Sequence, residues 1–231
     1  MSYLFDAAAE RLTATLGSTY SMPVTIAFQV KMTHPSAVTT AAMWGNASGS
    51  TLDSGEVRTI ATPDYWTPRY RDSGGIAATA NVSLSCDGAW TPVVAVFTSN
   101  ASRRIYLGTI GNTNSNTTAL AATAGWKYLS FGRALDTSAQ FAGRLAELAV
   151  WDVALSVDDI TSYLSNYSAD GIDATNLLAY WSCAAGNTKT AGVDSVGSLS
   201  VSGSTWDPDH PTITSLSPGQ PTMGRCIYIL P

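Results

Sequence analysis

The segment TPDYWTPRYRD, residues 62–72, groups aromatic rings and arginines between two prolines in a sequence that is otherwise poor in charge. Tyrosine and tryptophan rings can stack on the faces of sugars, and arginine donates planar pairs of hydrogen bonds. The segment therefore predicts a carbohydrate-binding surface loop, with Tyr65, Trp66, Arg69 and Tyr70 as its ligand-binding residues. The same residue types dominate protein interfaces, so packing against the rest of the fold or a neighbouring subunit is the alternative.

Carboxylates and histidines could instead support an enzyme. Retaining glycosidases use two carboxyl groups about 5–5.5 Å apart, which on a strand calls for acidic residues close together on one face. Glu147 and Asp152 fall on opposite faces of a predicted strand, and Glu56 stands alone in SGEVRTI. The two histidines, His34 and His210, both adjoin proline and form no recognisable Ser-His-Asp set or metal site. We therefore expect no enzymatic activity and assign no catalytic residue.

Calcium would need a loop lined by oxygen atoms, with one or two carboxylates and several carbonyls. Asp53, Asp87 and Asp136 lie in predicted loops, but none of them has an acidic neighbour at ligand spacing. Solvated turn aspartates are the simpler interpretation. The sequence therefore predicts no metal or other cofactor, with a calcium site in these loops as the alternative.

The charge balance excludes one class of partner. The chain has 12 lysines and arginines against 17 aspartates and glutamates, a net charge of −5. Nucleic-acid binding requires a basic surface that neutralises phosphates, and Arg103–Arg104 is the only adjacent basic pair. No segment approaches the roughly 18 apolar residues of a transmembrane helix. We expect neither a nucleic-acid partner nor a membrane span.

The cysteines and the amino terminus indicate where the protein is made. Cys86, Cys183 and Cys226 are an odd number without metal-ligand spacing, which favours free thiols in a reducing cytosol. The opening MSYLFDAAAERLTATLG lacks an apolar core of signal-peptide length. We therefore expect synthesis in the cytoplasm without a signal peptide.

Alternation of apolar and polar residues predicts a chain built mainly from β-strands. In PVTIAFQVKM, residues 23–32, every second residue from Val24 to Met32 is apolar, the pattern of a half-buried strand. Residues 90–100 and 103–112 predict a hairpin, and residues 126–135 and 176–185 predict two further strands. Residues 143–151 form a strand with two largely apolar faces, in which Leu145, Glu147, Ala149 and Trp151 are expected to point the same way.

One helix is predicted directly after that strand. Ser156 followed by Asp159 fits an N-cap with an acidic residue in the first turn, and apolar residues at helical spacing follow. The pattern predicts a helix of about eight to ten residues packed at the edge of the fold. Residues 5–16 are a weaker candidate for a second helix.

The chain ends in a proline-rich segment. Residues 207–231 carry no sustained alternation before Cys226, and proline lacks the amide donor that a central strand needs. We predict one domain over residues 1–206 and an extended strap or arm over residues 207–231, with His210 fixing its start through a backbone contact. Deletion of residues 207–231 is expected to abolish assembly and to leave the domain folded.

Three segments in order carry a family resemblance. YLFDAAAERLTATL followed by PVTIAFQVKM, then WTPVVAVFTSNASRRIYLG, then LSFGRALDTSAQFAGRLAELAVWDVALSVDDITSYL are similar to the concanavalin A-like, laminin G-type (LamG) jelly-roll domains. The match covers most of residues 3–182, and Phe28 stands near the position of the family's usual tryptophan. The resemblance implies an all-β fold, a two-sheet antiparallel jelly-roll sandwich with one short helix that closes one end. It also implies that Trp151 and Leu155 are packing anchors.

The following stretch, LLAYWSCAAGNTKTAGVDSVGSLSVSGSTWDPDHPTI, resembles additions found in phage and prophage virion proteins of this fold. That resemblance implies a non-enzymatic structural or adhesion protein of a phage-like particle, such as a capsid decoration or a head or tail fibre component. The partners would then be other virion proteins and further copies of the chain, and the location would be the virion. The alternative is a carbohydrate-binding, lectin-like module that recognises host or environmental glycans.

Overall fold

The computed structural model describes residues 2–6, 10–32, 38–61, 64–83, 88–122, 125–182 and 188–211. The three cysteines, His34, Asp87 and residues 212–231 of the predicted tail lie outside the described residues.

Sixteen strands and one helix follow one another along the described chain. They are β1 (Ser2–Phe5), β2 (Arg11–Tyr20), β3 (Val24–Lys31), β4 (Thr39–Gly45), β5 (Ser54–Ala61), β6 (Asp64–Arg71), β7 (Ala77–Thr79), β8 (Val82–Ser83), β9 (Thr91–Ser99), β10 (Ser102–Leu107), β11 (Thr109–Asn116), β12 (Trp126–Phe131), β13 (Gly143–Trp151), α1 (Val157–Asn166), β14 (Leu177–Trp181), β15 (Ser200–Ser202) and β16 (Thr205–Asp207).

The strands form two antiparallel sheets of eight strands each. The first sheet has the order β11-β10-β9-β3-β13-β1-β16, with β14 also paired to β13. The second has the order β15-β2-β12-β4-β5-β6-β7, with β8 also paired to β6. The predicted all-β, two-sheet sandwich with one short helix is confirmed, whereas the predicted second helix over residues 5–16 is wrong, since Arg11–Tyr20 is a strand.

Aromatic rings fill the space between the sheets. Trp44 lies at their centre, with its ring centroid 5.5 Å from that of Phe97 and 5.7 Å from that of Trp126. Gly55 on β5 makes room for it, because a Cβ atom there would lie 2.3 Å from the Trp44 ring. A side chain at residue 55 would therefore push the largest core ring out of place.

A β-bulge interrupts β13 and changes which residues share a face. The register against β3 shifts between Ala146 and Ala149, and Glu147 inside the bulge has a φ of 53°. Leu145 packs in the core between the sheets, while Ala149 and Trp151 face the opposite side. The prediction that these residues point the same way as Glu147 along one regular strand is therefore wrong for Leu145.

Helix α1 starts as the sequence predicts. The Ser156 hydroxyl accepts a hydrogen bond from the backbone N–H of Asp159 at 3.1 Å, and the helix ends at Tyr167 in the left-handed conformation. Its buried face, formed by Ile160, Tyr163 and Leu164, packs with the outer face of the first sheet. The helix thus covers a sheet instead of closing one end of the sandwich. Among the described residues, no helix is long and apolar enough to cross a membrane.

Residues 205–211, called the strap here, run along the first sheet beyond β1. They contact the sandwich through a ring pair, ion pairs and a histidine–glutamate bond: Trp206 with Tyr3 (centroids 4.3 Å apart), Asp207 with Arg144 (3.0 Å), Asp209 with Lys31 (2.6 Å) and His210 with Glu147 (2.9 Å). His210 therefore acts through its side chain and not through the expected backbone contact. The domain boundary at residue 206 stays a prediction.

Candidate functional site

The β5–β6 hairpin separates its side chains between the core and the outer face of the second sheet. Residues opposite one another on neighbouring strands share a face, and successive residues alternate. Glu56 is opposite Arg69, Arg58 is opposite Thr67, and Ser54 is opposite Arg71. These pairs point outward, because the intervening Gly55 and Val57 face Trp44 and the core.

The structure divides the four ligand-binding residues predicted in segment 62–72. Within this segment, Asp64–Arg71 form the strand β6 and not a loop, so their side chains alternate between the two faces of the sheet. Trp66 (2% exposed) and Tyr70 (0% exposed) lie in the core, where Tyr70 stacks on Trp44 with centroids 6.0 Å apart. Packing, the alternative interpretation, therefore describes these two rings, which have no free face for a sugar. Tyr65 and Arg69 point outward and are partly exposed, and ligand binding by them stays a prediction.

Three arginines surround one glutamate on this outer face, and we call Glu56, Arg58, Arg69 and Arg71 the arginine cluster. Arg69 Nη1 lies 2.8 Å from Glu56 Oε1, and Arg58 Nη1 lies 3.9 Å from the same oxygen. The other oxygen, Oε2, accepts a hydrogen bond from the Thr40 hydroxyl at 3.1 Å. Arg71 Nη1 donates to the Thr51 hydroxyl at 2.6 Å. One carboxylate thus holds two of the three guanidinium groups in place.

The cluster is positively charged in an acidic protein. Three guanidinium groups against one carboxylate leave the cluster a net charge of +2, which the nearby Asp136 reduces to +1, while the whole chain carries −5. Burial raises the pKa of Glu56, although Arg58, Thr40 and Arg71 oppose this shift and Asp136 adds to it. Burial likewise lowers the pKa of the Arg58 guanidinium. Both directions show charges that have lost part of their hydration, which strengthens their interaction with any further ion.

Hydrogen-bonding capacity remains within the cluster. No described residue accepts a hydrogen bond from the Nε atoms of Arg58, Arg69 or Arg71, although these atoms are buried. The side chains of Arg58 and Arg69 are still 18% and 11% exposed, so parts of both reach solvent. Buried donors are normally paired, so these three are unsatisfied donors inside the cluster, and the exposed parts of the side chains are what a ligand could contact.

A loop covers the neighbouring part of the same face. Ala134 and Leu135 pack on Met43 of β4, and the backbone N–H of Leu135 lies 3.2 Å from the Met43 sulfur. Met43 is opposite Glu56, so the arginine cluster begins where this apolar cover ends. Tyr128 on β12 packs against the cover and remains partly exposed on the outer face. The cluster is therefore bordered by a tyrosine on the β12 side and by Tyr65 on β6.

The outer face of the first sheet also holds a glutamate, but that residue is enclosed. Glu147 is 0% exposed, and its carboxylate accepts a hydrogen bond from the Tyr180 hydroxyl and lies 2.9 Å from His210 Nε2. Burial and the nearby Glu147 raise the pKa of Tyr180, so its hydroxyl remains a donor. Glu147 therefore lies inside β13, as the predicted strand over residues 143–151 requires, and beneath α1.

The aspartates of the calcium alternative have local partners. Asp53 accepts from the Asn46 side chain at 3.0 Å, and Asp136 accepts from the Ser138 backbone at 3.0 Å. Within the ranges that the structure describes, no group of three or more histidine, cysteine or acidic side chains could hold a metal ion. Calcium at Asp87 lies outside those ranges.

The sequence interpretation missed Glu56 as the shared partner of Arg58 and Arg69. The signal was present in SGEVRTIA, where Ser54, Glu56 and Arg58 alternate with smaller or apolar residues at the spacing of a half-exposed strand. Pairing that segment with DYWTPRYR would have placed the acidic and basic residues side by side. Pro68 inside β6 obscured the strand, since proline is rare within sheets.

Solved structures share this fold at low sequence identity. A proposed carbohydrate-binding protein from Bacteroides ovatus aligns with a TM-score of 0.59 and 16% identity, covering 88% of this chain and 58% of that one. The CBM40 module of the Ruminococcus gnavus IT-sialidase, bound to α2,3-sialyllactose, aligns with a TM-score of 0.52 and 15% identity, covering 68% of this chain and 95% of that one. Tailspike protein 2 of an Escherichia coli O157:H7 bacteriophage aligns with a TM-score of 0.52 and 16% identity, covering 72% of this chain and 25% of that one.

A search of curated proteins gave no match. The family model of the Laminin_G_3 type, described as the concanavalin A-like lectin/glucanases superfamily, matches residues 7–161. That match spans β2 to the first turn of α1 and includes the whole arginine cluster. The chain therefore belongs to the concanavalin A-like lectin/glucanases superfamily, through its Laminin_G_3 branch.

Proposed function

We propose that this protein is a non-catalytic carbohydrate-binding module that holds a glycan on the outer face of its second sheet. The observation that carries the proposal is the arginine cluster, where partly exposed arginine side chains with a net positive charge lie on the same face as the partly exposed ring of Tyr65. Sugars are bound by planar polar groups that fix hydroxyls and by rings that cover their apolar faces. Both kinds of group occur together at this face.

The fold relatives support the choice of ligand class. The sialidase CBM40 module is described in complex with sialyllactose, and the Bacteroides protein is described as a proposed carbohydrate-binding protein. What this chain shares with these proteins is the fold, and the proposed site consists of residues of this chain alone. The arginine cluster is the group of side chains that brings such a function to this chain.

The arrangement of the carboxylates favours binding without catalysis. A glycosidase needs two carboxyl groups that reach the same glycosidic bond. Glu147 is enclosed beneath α1 on the other sheet, and Glu56 is bonded to Arg69 and Thr40. Asp152, the other candidate, follows the end of β13 in the first sheet. Neither candidate offers Glu56 a partner on the open face.

A glycan-array screen of the purified chain tests this proposal, with Arg69→Gln and Arg104→Gln as a matched pair. Arg104 is an exposed arginine on β10 of the first sheet, so its loss removes the same charge from the opposite side of the molecule. We expect specific glycan binding that Arg69→Gln reduces at least about tenfold, the usual effect of losing one charged hydrogen bond. Equal binding by both variants would place the site elsewhere, and binding to no glycan would contradict the function.

We further propose, as the second candidate, that the module serves adhesion on a phage-like particle, assembled with other virion proteins and with further copies of itself. The bacteriophage tailspike protein supports it, because a domain with this fold forms one part of that longer protein. The strap supports it as well, because its contacts with the sandwich anchor the chain as far as Pro211, which is buried, immediately before the predicted tail. Glycan binding and a place in the virion are compatible, since adhesion uses both.

Truncation after residue 211 tests the role of the tail more sharply than deletion from residue 207. A chain of residues 1–211 keeps the bonds of Asp207, Asp209 and His210 to the sandwich, whereas deletion from residue 207 removes them. We expect the full chain to form a defined oligomer in light-scattering measurements and the 1–211 chain to be a folded monomer. A 1–211 chain that forms an oligomer with the same number of copies as the full chain would contradict an assembly role for the tail.

A further inference from the structure

We infer that the glycan bound at the arginine cluster is acidic, a sugar that carries a carboxylate or a sulfate group. This inference rests on the proposed carbohydrate-binding function and names the class of its ligand. Arg58, Arg69 and Arg71 converge on one face of two neighbouring strands, and Glu56 is the only carboxylate bonded to them among the described residues. The cluster therefore retains a net positive charge that a neutral sugar would leave unbalanced.

The arginine side chains that reach solvent can match an anion in geometry as well as in charge. A guanidinium group presents Nε–H and Nη–H in a planar fork that binds two oxygens of a carboxylate or sulfate at once. The Nη1 atom of Arg69 is engaged by Glu56 and that of Arg71 by Thr51, while the Nε atoms of both meet no described acceptor. Because those Nε atoms are buried, an anion from solvent would contact the exposed parts of Arg58 and Arg69, whose side chains are 18% and 11% exposed, without displacing Glu56.

Glu56 sets how strongly the cluster attracts that anion. Its carboxylate is 2.8 Å from Arg69 and neutralises part of the charge that an acidic sugar would meet. Glutamine at this position has the same size and can still accept the hydrogen bond from Thr40. Glu56→Gln is therefore expected to bind acidic sugars more tightly, a gain that an unfolded variant cannot produce.

Calorimetric titrations with three matched probes test the inference: galactotriose, tri-galacturonic acid and a sulfated galactotriose. We expect the full chain to bind an acidic probe at least about tenfold more tightly than galactotriose. Arg58→Gln and Arg69→Gln should each remove most of that preference, and Arg104→Gln should preserve it. Glu56→Gln should tighten binding of the acidic probe about fourfold and should leave binding of galactotriose unchanged. About fourfold is the effect of removing a negative charge that lies about 5 Å from the negative group of the probe in water.

The three probes distinguish two failures: the ligand is not acidic, or the protein does not bind carbohydrate. Binding of tri-galacturonic acid or of the sulfated probe supports the inference, and the tighter of the two identifies the anionic group. Galactotriose bound as tightly as the acidic probes, or a preference that survives Arg58→Gln and Arg69→Gln, would overturn the acidic class while carbohydrate binding stands. No binding of any probe here or of any glycan on the array would overturn both.

Discussion

The outer faces of the two sheets each contain a buried glutamate, and the neighbours of the two carboxylates differ. Glu147 on the first sheet lies under α1 and the strap, held by the Tyr180 hydroxyl and His210. Glu56 on the second sheet lies at the boundary of an apolar cover, held by Arg69, Arg58 and Thr40. One carboxylate is closed off from solvent, and the other is bordered by partly exposed cations.

The difference shows what a covering element does to a polar group on a sheet. Where α1 packs on the first sheet, a carboxylate persists only if the enclosing residues supply its hydrogen bonds, so Glu147 serves the fold. Where the cover ends on the second sheet, the arginine side chains around Glu56 keep partial contact with water. Conversion of the first face into a binding site would require removal of the helix, whereas the second face is already accessible.

The largest expected effect compares the two glutamates directly. Glu147→Ala should lower the free energy of unfolding by about 3 kcal/mol, because the buried Tyr180 hydroxyl and His210 lose their acceptor. Glu56→Ala should lower it by a smaller amount, about 2 kcal/mol, because the side chains of Arg58 and Arg69, although mostly buried, keep partial contact with water. Urea denaturation followed by tryptophan fluorescence measures both values. Equal losses of unfolding free energy would show that Glu147 is not more strongly enclosed than Glu56.

A second prediction separates the helix that covers the first sheet from binding at the second. Ser156→Ala removes the N-cap acceptor of α1 and should lower the free energy of unfolding by about 1 kcal/mol. Affinity for the acidic probe should not change, since α1 lies on the opposite sheet. Thermal denaturation and calorimetry on the same samples provide both readings. A loss of affinity in this folded variant would mean that the two faces are coupled.

A third prediction concerns pH at the arginine cluster. Burial raises the pKa of Glu56 in the folded protein, so it takes up a proton above its ordinary value of about 4.3. Protonation removes the negative charge beside Arg58, Arg69 and Arg71, while Asp136 is the remaining nearby carboxylate. Affinity for tri-galacturonic acid should therefore rise, by up to about fourfold, as the pH is lowered until Glu56 is protonated. The Glu56→Gln variant is the control, and an equal rise in it would assign the effect to another group.

The same raised pKa has a consequence for stability. A carboxyl group whose pKa is higher in the folded state stabilises the fold when protonated, and this contribution is lost as the pH rises through the folded-state pKa. Asp207 and Asp209 in the strap behave in the opposite way, because hydrogen bonds from Arg144 and Lys31 respectively lower their pKa values. Their contribution is present above about pH 4 and is lost below it.

The smallest expected effect lies at the strap. Asp209→Asn weakens the ion pair with Lys31 and should lower the free energy of unfolding by less than about 1 kcal/mol, because both side chains are partly exposed. His210 should still bind Glu147 in this variant. Limited proteolysis near residue 209 measures local release, and we expect at most a few-fold faster cleavage. A loss as large as that of Glu147→Ala would place the main anchor of the strap at Asp209 instead.

The parts of the fold that could be predicted are those specified by local pattern. The alternation of Val24 to Met32 predicted β3, and the Ser156–Asp159 spacing predicted the start of α1, since both signals lie within one element. The bulge at Glu147 was not predictable, because its positive φ depends on the pairing of β13 with β3 and on the contacts of the buried carboxylate. Alternation carried through that bulge assigned Leu145 to the wrong face.

The candidate site was predicted in part for the same reason. Segment 62–72 was identified from its composition, and Arg69 and Tyr65 do reach the outer face. Composition alone could not show that a strand turns Trp66 and Tyr70 into the core, nor that β5 brings Glu56 and Arg58 alongside. These placements follow from the β5–β6 register, which is a long-range property of the sheet.

The most direct measurement of the central claim is an NMR titration that follows the Nε–H resonances of the arginine side chains as tri-galacturonic acid is added. The account predicts that the resonances of Arg58, Arg69 and Arg71 shift together with one dissociation constant, while that of Arg104 on the first sheet stays in place. Shifts confined to Arg104, or binding that leaves all three cluster resonances unchanged, would contradict a binding site on the outer face of the second sheet.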